Sequence, residues 1–212
     1  MKKLISVCAV FLCLIFISGC QRKKSIFVSD LNAADFFKDI PTTQFFLDEK
    51  IPEADVEKIL EAGFNCPSAM NHQPWHFTAV TNKKFLFEVY DDLIRGMTEE
   101  EADNYKRQAE IKDVPLVIVI SSEKDYRFDA GLACSVMAVE ANLLGYGTKI
   151  VNSPNLIFQG KKQQLYKEML GIPVKMEAVG YLLIGKADLE KIDALSSAST
   201  RKPRETIISY YN

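Results

Sequence analysis

The segment from Asp129 to Leu144 places the strongest constraint on how this chain can fold. Its residues are apolar almost all round a helix, and Gly145, which follows, is of the type that commonly ends helices. Glu140 and Asn142 interrupt the run, which is shorter than the roughly 20 residues of a membrane-spanning helix. We therefore expect a helix buried on every side, under a sheet or in an oligomer interface.

The rest of the chain mixes helical and strand periodicities irregularly. Alternating or continuous apolar runs rich in β-branched residues predict strands over 75–81, 114–121, 148–152 and 178–184. Apolar residues at helical spacing predict helices over 51–63, 85–93 and 161–170. The charge-rich stretch 98–112 predicts a solvated helix or a lid. This order, which contains no internal repeat, predicts an α+β domain over residues 31–212.

The N-terminus is typical of an exported bacterial lipoprotein. Two lysines precede the apolar run from Leu4 to Ile17, and small residues follow it, directly before Cys20. We expect residues 1–19 to be a signal peptide, Cys20 to carry lipid, and residues 20–30 to tether the domain to the membrane. The protein would then be exported and lipid-anchored to the cell envelope. A plain signal peptide or an N-terminal membrane anchor is the alternative.

Composition and spacing argue against three kinds of site. The formal net charge is -2 and no basic stripe with interleaved aromatic residues is present, so we expect no nucleic-acid partner. Beyond the lipobox only Cys66 and Cys134 remain, too few for a disulfide scaffold, and their apolar surroundings favour buried thiols. His72 and His76 have metal-ligand spacing, but Pro74 between them prevents a shared helix face, so we expect no metal site.

The stretch from Cys66 to Phe77 carries the most specific motif in the chain. Prolines at 67 and 74 stiffen a polar loop at both of its ends. The polar side chains of this loop, a hydroxyl and two amides, belong to Ser68, Asn71 and Gln73. Such groups can hydrogen-bond a ligand, although they also commonly bond the backbone of their own loop. We expect Trp75 to pack in the core behind the loop.

This motif and three others that follow it resemble the nitroreductase family of FMN-dependent oxidoreductases. The other motifs are Asp129-Ala130-Gly131 with the later Leu144-Gly145-Tyr146-Gly147-Thr148, Gly171-Ile172-Pro173 before a strand that ends at Gly185, and Lys202-Pro203-Arg204. The resemblance covers residues 40–212. It implies an α+β nitroreductase-like fold, with a central mixed or antiparallel sheet flanked by helices. It further implies an intertwined homodimer with two FMN sites at its interface and C-terminal tails exchanged between subunits.

The resemblance also implies which residues contact FMN. It assigns Lys202 and Arg204 to the phosphate, and two cations spaced two apart on an extended chain suit a dianion, although a solvated basic pair is the alternative. Within the loop it assigns contacts to Pro67, Ser68, Ala69, Asn71 and Gln73. It places Asn152 and Ser153 where backbone N–H groups approach the redox nitrogen of the flavin ring.

One departure from the family pattern lies near residue 42. The family usually has an Arg-Arg-Ser-x-Arg-like run here, and this chain has Ile40-Pro41-Thr42-Thr43-Gln44. The contacts implied for Thr42, Thr43 and Gln44 therefore lack positive charge. A hydrogen bond to a charged group contributes about 1.5–3 kcal/mol, so we expect weaker FMN binding or a shifted reduction potential. Lys149, Arg107 and Arg201 are the candidates that would compensate.

No nucleophile, acid–base pair or glycine-rich phosphate loop competes with this interpretation. The resemblance implies flavin-centred reduction of a small nitroaromatic- or quinone-like acceptor by a ping-pong mechanism, with NAD(P)H as transient donor. An exported protein meets little NAD(P)H, so membrane quinol or a partner flavoprotein is a further candidate donor. The main alternative is a lipid-anchored protein that binds a flavin or another ligand without turnover. A third is flavin chemistry outside nitro reduction, such as dehalogenation or flavin fragmentation.

Overall fold

The computed structural model describes residues 36–38, 40–106, 111–152, 158, 160–191, 194–196 and 201–211. These residues belong to one compact unit, which runs from Ala34 to Asn212. The predicted signal peptide, Cys20 and the tether lie outside the described residues, as do Arg107 and Ser153.

Six strands are present among the described residues: β1 (Thr42–Thr43), β2 (Trp75–Val80), β3 (Leu116–Ser122), β4 (Gly147–Val151), β5 (Glu177–Gly185) and β6 (Leu195–Ser196). The central sheet has the order β2-β3-β5-β4, and all of its pairings are antiparallel. β1 and β6 form a separate two-stranded ribbon. The four predicted strands are confirmed to within one or two residues at each end, and the sheet is antiparallel rather than mixed.

Among the described residues, five α-helices with complete bounds accompany the sheet: α1 (Glu53–Phe64), α2 (Lys83–Arg95), α3 (Glu99–Lys106), α4 (Arg127–Leu143) and α5 (Gln163–Met169); residues 36–38 are also helical. Local chemistry explains their starts. The Asn82 side chain accepts a hydrogen bond from Phe85 N at 3.1 Å before α2, and Thr98 and Glu101 form a reciprocal capping box before α3. None of the helices in the described ranges is long and apolar enough to cross a bilayer.

The sheet separates two layers of apolar packing. Alternate residues of β3 and β5, such as Ile118 and Leu182, face α1 and α4, while Val119 and Leu183 face α2 and α5. Because β3 is covered on both faces, every one of its residues is buried, which explains its continuous apolar sequence.

The prediction that α4 is buried on every side is wrong for the single chain. Its small residues, Ala130, Ala133 and Ala141, are fully buried against the sheet layer, together with Met137. The opposite side is an exposed apolar stripe, with side chains 38% to 77% exposed, formed by Phe128, Leu132, Val136 and Leu143. One sheet covers only one side of a helix, so the other predicted location, an oligomer interface, remains for this stripe.

The C-terminal tail also differs from its prediction. Apolar and β-branched residues seldom remain free in water, so the sequence of the tail from Ile207 to Tyr211 predicts that it pairs with a sheet. Instead, residues 201–211 are all exposed, and the only regular element among them is a 3-10 turn at Arg204–Thr206. In the single chain, then, the tail pairs with no strand.

Candidate functional site

The loop between α1 and β2 holds an unusual backbone conformation. Met70, Asn71 and Gln73 all have positive φ angles, of 49°, 58° and 48°. Such conformations cost non-glycine residues on the order of 1–3 kcal/mol each, so the surrounding contacts must impose them. Gln73 N donates to Ser68 Oγ at 2.9 Å, and Gln73 Nε2 donates to Asn71 Oδ1 at 3.0 Å. The polar side chains predicted for ligand binding thus also organise their own loop.

The loop is anchored to the first turn of α4. Ala69 N donates to Asp129 Oδ1 at 2.8 Å, and Asp129 is only 7% exposed. Behind the loop, Trp75 packs on Cys66 and Ala133, which confirms its predicted core position. Burial raises the pKa of the Cys66 thiol, and the nearby Asp129 charge raises it further, so this cysteine is an inert thiol. The loop is therefore a fixed projection whose apex is the exposed Met70.

A second polar group lies where β1 crosses β4. Lys149 Nζ donates to Gln44 Oε1 at 2.8 Å, and Lys149 is only 7% exposed. Next to them, the Thr43 side chain is buried, and its Oγ1 has no hydrogen-bond partner among the described residues. Burial lowers the pKa of Lys149 to about 8. The sequence marked Lys149 as a compensating cation without locating it, and the structure places it against Gln44; Thr42 lies at the surface.

Gly147 allows this close approach of β1 to β4. A Cβ atom at position 147 would lie 2.1 Å from Thr43 Oγ1 and 2.9 Å from Thr43 Cβ, so no side chain fits there. The Leu144–Thr148 motif thus has a packing reason that its sequence did not reveal.

Asn152 follows the end of β4 and lines a cavity of about 520 Å³. Its wall includes Phe158, Gln163 and Lys167, and an ion pair between Arg127 and Glu177 with an N–O distance of 2.6 Å borders it. Sequence reasoning did not select these lining residues, because they come from separate elements and form no local motif. Ser153, predicted beside Asn152, lies outside the described residues.

Lys202 and Arg204 are both exposed. The chain is extended through Pro203, with φ -52° and ψ 136°, and it turns at Arg204, which begins the 3-10 turn. The predicted geometry of one continuous extended segment therefore holds only as far as Pro203. Arg204 Nη2 donates to the Tyr210 hydroxyl at 3.0 Å, which holds the tail back towards the basic pair.

The predicted site residues fall into two groups at opposite ends of α4. The loop is bonded to Asp129 in the first turn, whereas Asn142 Nδ2, in the last turn, donates to Thr148 Oγ1 on β4 at 2.9 Å. At 1.5 Å per residue, Asp129 and Asn142 lie roughly 20 Å apart along the helix axis. In one protomer the loop and β4 are therefore held near opposite ends of α4.

Comparisons with known proteins agree with this architecture. A family model described as the nitroreductase family matches residues 41–186, more than half of the chain. A Methanothermobacter thermautotrophicus protein named as an NADH dehydrogenase/NAD(P)H nitroreductase is 28% identical over 127 residues, which are 57% of this chain and 60% of that protein. An iodotyrosine deiodinase from Thermotoga neapolitana is 23% identical over 194 residues, 84% of this chain and 96% of its own.

The fold itself matches a solved structure closely. A nitroreductase with bound FMN from Desulfitobacterium hafniense superimposes with a TM-score of 0.73 at 21% sequence identity, over 86% of this chain and 100% of that chain. The nitroreductase-like fold expected from the four motifs is thereby confirmed.

Proposed function

The chain belongs to the nitroreductase family, and from that premise we propose that it is an FMN-dependent oxidoreductase that reduces a small conjugated acceptor. The observation that carries the proposal is the polar group between β1 and β4. It contains a buried cation, an amide and a hydroxyl that has no hydrogen-bond partner in the part of the chain that the structure describes, and it lies within the span that the family model matches. Buried polar groups without partners are characteristic of sites that a ligand completes.

The donors of this chain fit the chemistry of FMN. Its phosphate is a dianion, and Lys202 and Arg204 offer two exposed cations close together in the chain. Its ring carries a polar edge, and the buried Lys149 ammonium and Thr43 hydroxyl, with the half-buried Gln44 amide, offer polar groups for such an edge. When bound, FMN supplies the transfer of hydride or electrons between a donor and an acceptor.

We further propose that the site is composite and that a second copy of the chain completes it. In one protomer the loop and β4 are bonded to α4 at points roughly 20 Å apart along its axis, yet the resemblance assigns the loop and the β1–β4 group to one FMN. A two-fold contact through the exposed stripe of α4 would set two such helices antiparallel. The loop of one protomer would then approach the β1–β4 group of its partner. Burial of the stripe and of the exposed tail favours such a homodimer.

In this arrangement the chain binds, orients and shields, and the reacting atoms belong to the cofactor and the small molecules. The rigid loop would hold one face of the ring, and the cavity beside Asn152 would admit the acceptor. Donor and acceptor would use that cavity in turn, which is a ping-pong mechanism. We propose from the N-terminal sequence that the enzyme is exported and lipid-anchored, where it would meet little NAD(P)H. The electron donors to compare are therefore NAD(P)H, membrane quinol and a reduced partner protein.

Titration of FMN and of riboflavin into the purified mature protein tests cofactor binding. We expect one FMN per chain and weaker binding of riboflavin, which lacks the phosphate. Lys202→Gln/Arg204→Gln should remove the preference for FMN, whereas Lys161→Gln/Lys175→Gln, a control in the exposed surface, should keep it. Binding of neither flavin by the wild-type protein would refute the proposal.

The lipid anchor has its own test. Wild-type protein expressed in a bacterial host should incorporate labelled lipid and partition into the membrane fraction, and Cys20→Ala should abolish both. A Cys20→Ala variant that stays in the membrane fraction would contradict the anchor.

Reductive dehalogenation is the second candidate reaction. It is favoured by the relative from Thermotoga neapolitana, named an iodotyrosine deiodinase, which this chain matches over 96% of that protein's length. An aryl iodide therefore belongs beside nitroaromatics and quinones in any trial of acceptors.

A further inference from the structure

Lys149 lies in a position that is costly for a charged group unless something compensates it. Its side chain is nearly inaccessible, its hydrogen-bond partner Gln44 is a neutral amide, and burial is what lowers its pKa. No carboxylate among the described residues forms an ion pair with it. An ammonium buried beside neutral groups loses hydration that a single amide oxygen does not replace. The group of side chains around Lys149 therefore has the chemistry of a site for negative charge.

The surrounding packing holds the ammonium of Lys149 in one position. Thr43 sits against Gly147 with no space between them, and this contact fixes β1 on β4. This contact also holds Gln44, the residue directly after β1, at hydrogen-bond distance from Lys149. A lysine with four rotatable bonds would otherwise extend to water, so the contact holds its charge at one point.

The same strand leads to Asn152, three residues further along. Three residues of strand span roughly 10 Å, so a flat three-ring ligand laid along the end of β4 would span the distance from Lys149 to the backbone N–H of Asn152. The two cationic groups proposed to contact FMN also differ in their exposure and in the number of charges they carry. Lys202 and Arg204 are an exposed pair suited to a dianion, and Lys149 is a single buried cation suited to one negative charge.

On the basis of the proposed function, we propose that Lys149 faces the pyrimidine edge of the flavin and stabilises its reduced form. It would thus take over, from β4, the positive charge that β1 lacks at Gln44. Two-electron reduction of FMN with uptake of one proton leaves a single negative charge on that edge. An ammonium beside it favours the reduced form over the neutral oxidised form and raises the midpoint potential.

The test is the midpoint potential of bound FMN, measured against reference dyes during slow anaerobic reduction. Lys149→Met removes the charge and keeps most of the length of the side chain. We expect reduced FMN to lose about 10- to 100-fold in affinity relative to oxidised FMN. For a two-electron couple this lowers the potential by about 30–60 mV. Lys149→Arg should retain most of the wild-type potential, and Lys161→Met, at the surface, should leave it unchanged.

A second variant keeps the test informative if Lys149→Met does not fold. Gln44→Glu gives Lys149 a counter-charge without removing it, and this change should lower the potential in the same direction. An unchanged potential in both variants, with flavin still bound, would overturn the role of Lys149 and leave the proposed function intact.

Two further outcomes are distinguishable. If Lys149 binds the phosphate, Lys149→Met will weaken FMN but not riboflavin and will leave the potential unchanged, which also overturns the inference. If the wild-type protein binds no flavin, the proposed function fails first, and the inference fails with it.

Discussion

Lys149 and Gln44 are 105 positions apart in sequence, and their contact depends on how β1 crosses β4. From the sequence, Lys149 was one of three candidate cations that would compensate for the positive charges missing at residues 40–44. The sequence could not select among them, since selection required the register of β4 and the absence of a side chain at Gly147. The 3-10 turn at Arg204 was missed for a similar reason, because alternation in a short basic segment does not determine a local turn.

The lowered pKa of Lys149 predicts how the free energy of unfolding depends on pH. The pKa of Lys149 is lowered to about 8 in the folded protein, from 10.5. Below pH 8 both folded and unfolded chains carry the proton, and the full cost of burying the charge is present. Between pH 8 and 10.5 the unfolded chain binds more protons, so this cost disappears as the pH rises.

Lys149→Met should therefore stabilise the FMN-free protein by about 1–3 kcal/mol at pH 7, because it removes a poorly compensated buried charge. This advantage over the wild type should shrink as the pH rises from 8 to 10.5. Denaturant unfolding at a series of pH values measures it, with Lys161→Met as the surface control. A constant difference across that range would show that Lys149 is not a buried cation.

Among the elements, the strands were predictable and the surroundings of α4 were not. β3 is continuous in apolar residues because both of its faces are covered, and this pattern is visible in sequence. For α4, the sequence gives the same apolar residue type to the buried side and to the exposed stripe. A pattern cannot tell a side covered by the same chain from a side that a second chain would cover. The tail from Ile207 has the same ambiguity.

The loop between α1 and β2 allows a prediction for an element. Asp129→Ala removes the acceptor of Ala69 N, a contact with a charged group that contributes about 1.5–3 kcal/mol. Three positive-φ residues then lose the anchor that holds their conformation. Backbone amides of residues 66–73 should exchange with deuterium at least about tenfold faster in mass-spectrometric hydrogen exchange. Asp125→Ala, in the exposed turn before α4, should leave this exchange unchanged; equal rates in both variants would contradict the anchoring role.

For the whole molecule, the central expectation is that two copies share each site. Val136→Glu places a carboxylate in the exposed stripe of α4, where a single chain tolerates it and an apolar dimer interface does not. We expect sedimentation velocity to show a dimer for the wild type and a monomer for this variant. FMN affinity should fall at least about 100-fold, since each site would lose the partner's loop.

Phe87→Glu is the matched control for that experiment. Phe87 is an exposed apolar residue on α2, which packs on the other face of the sheet. This variant should stay dimeric and keep its flavin. A monomeric Val136→Glu protein that binds FMN as tightly as the wild type would show that one chain forms the site alone.

A single reduction and reoxidation of the FMN-loaded protein under anaerobic conditions tests the proposed oxidoreductase activity most directly. Dithionite should bleach the visible absorption of the bound flavin. A nitroaromatic, a quinone or an aryl iodide, added afterwards, should restore it as two electrons pass from each flavin to the acceptor. Flavin that is bound and reduced but stays bleached with every acceptor would contradict an oxidoreductase, and would identify a flavin-binding protein without turnover.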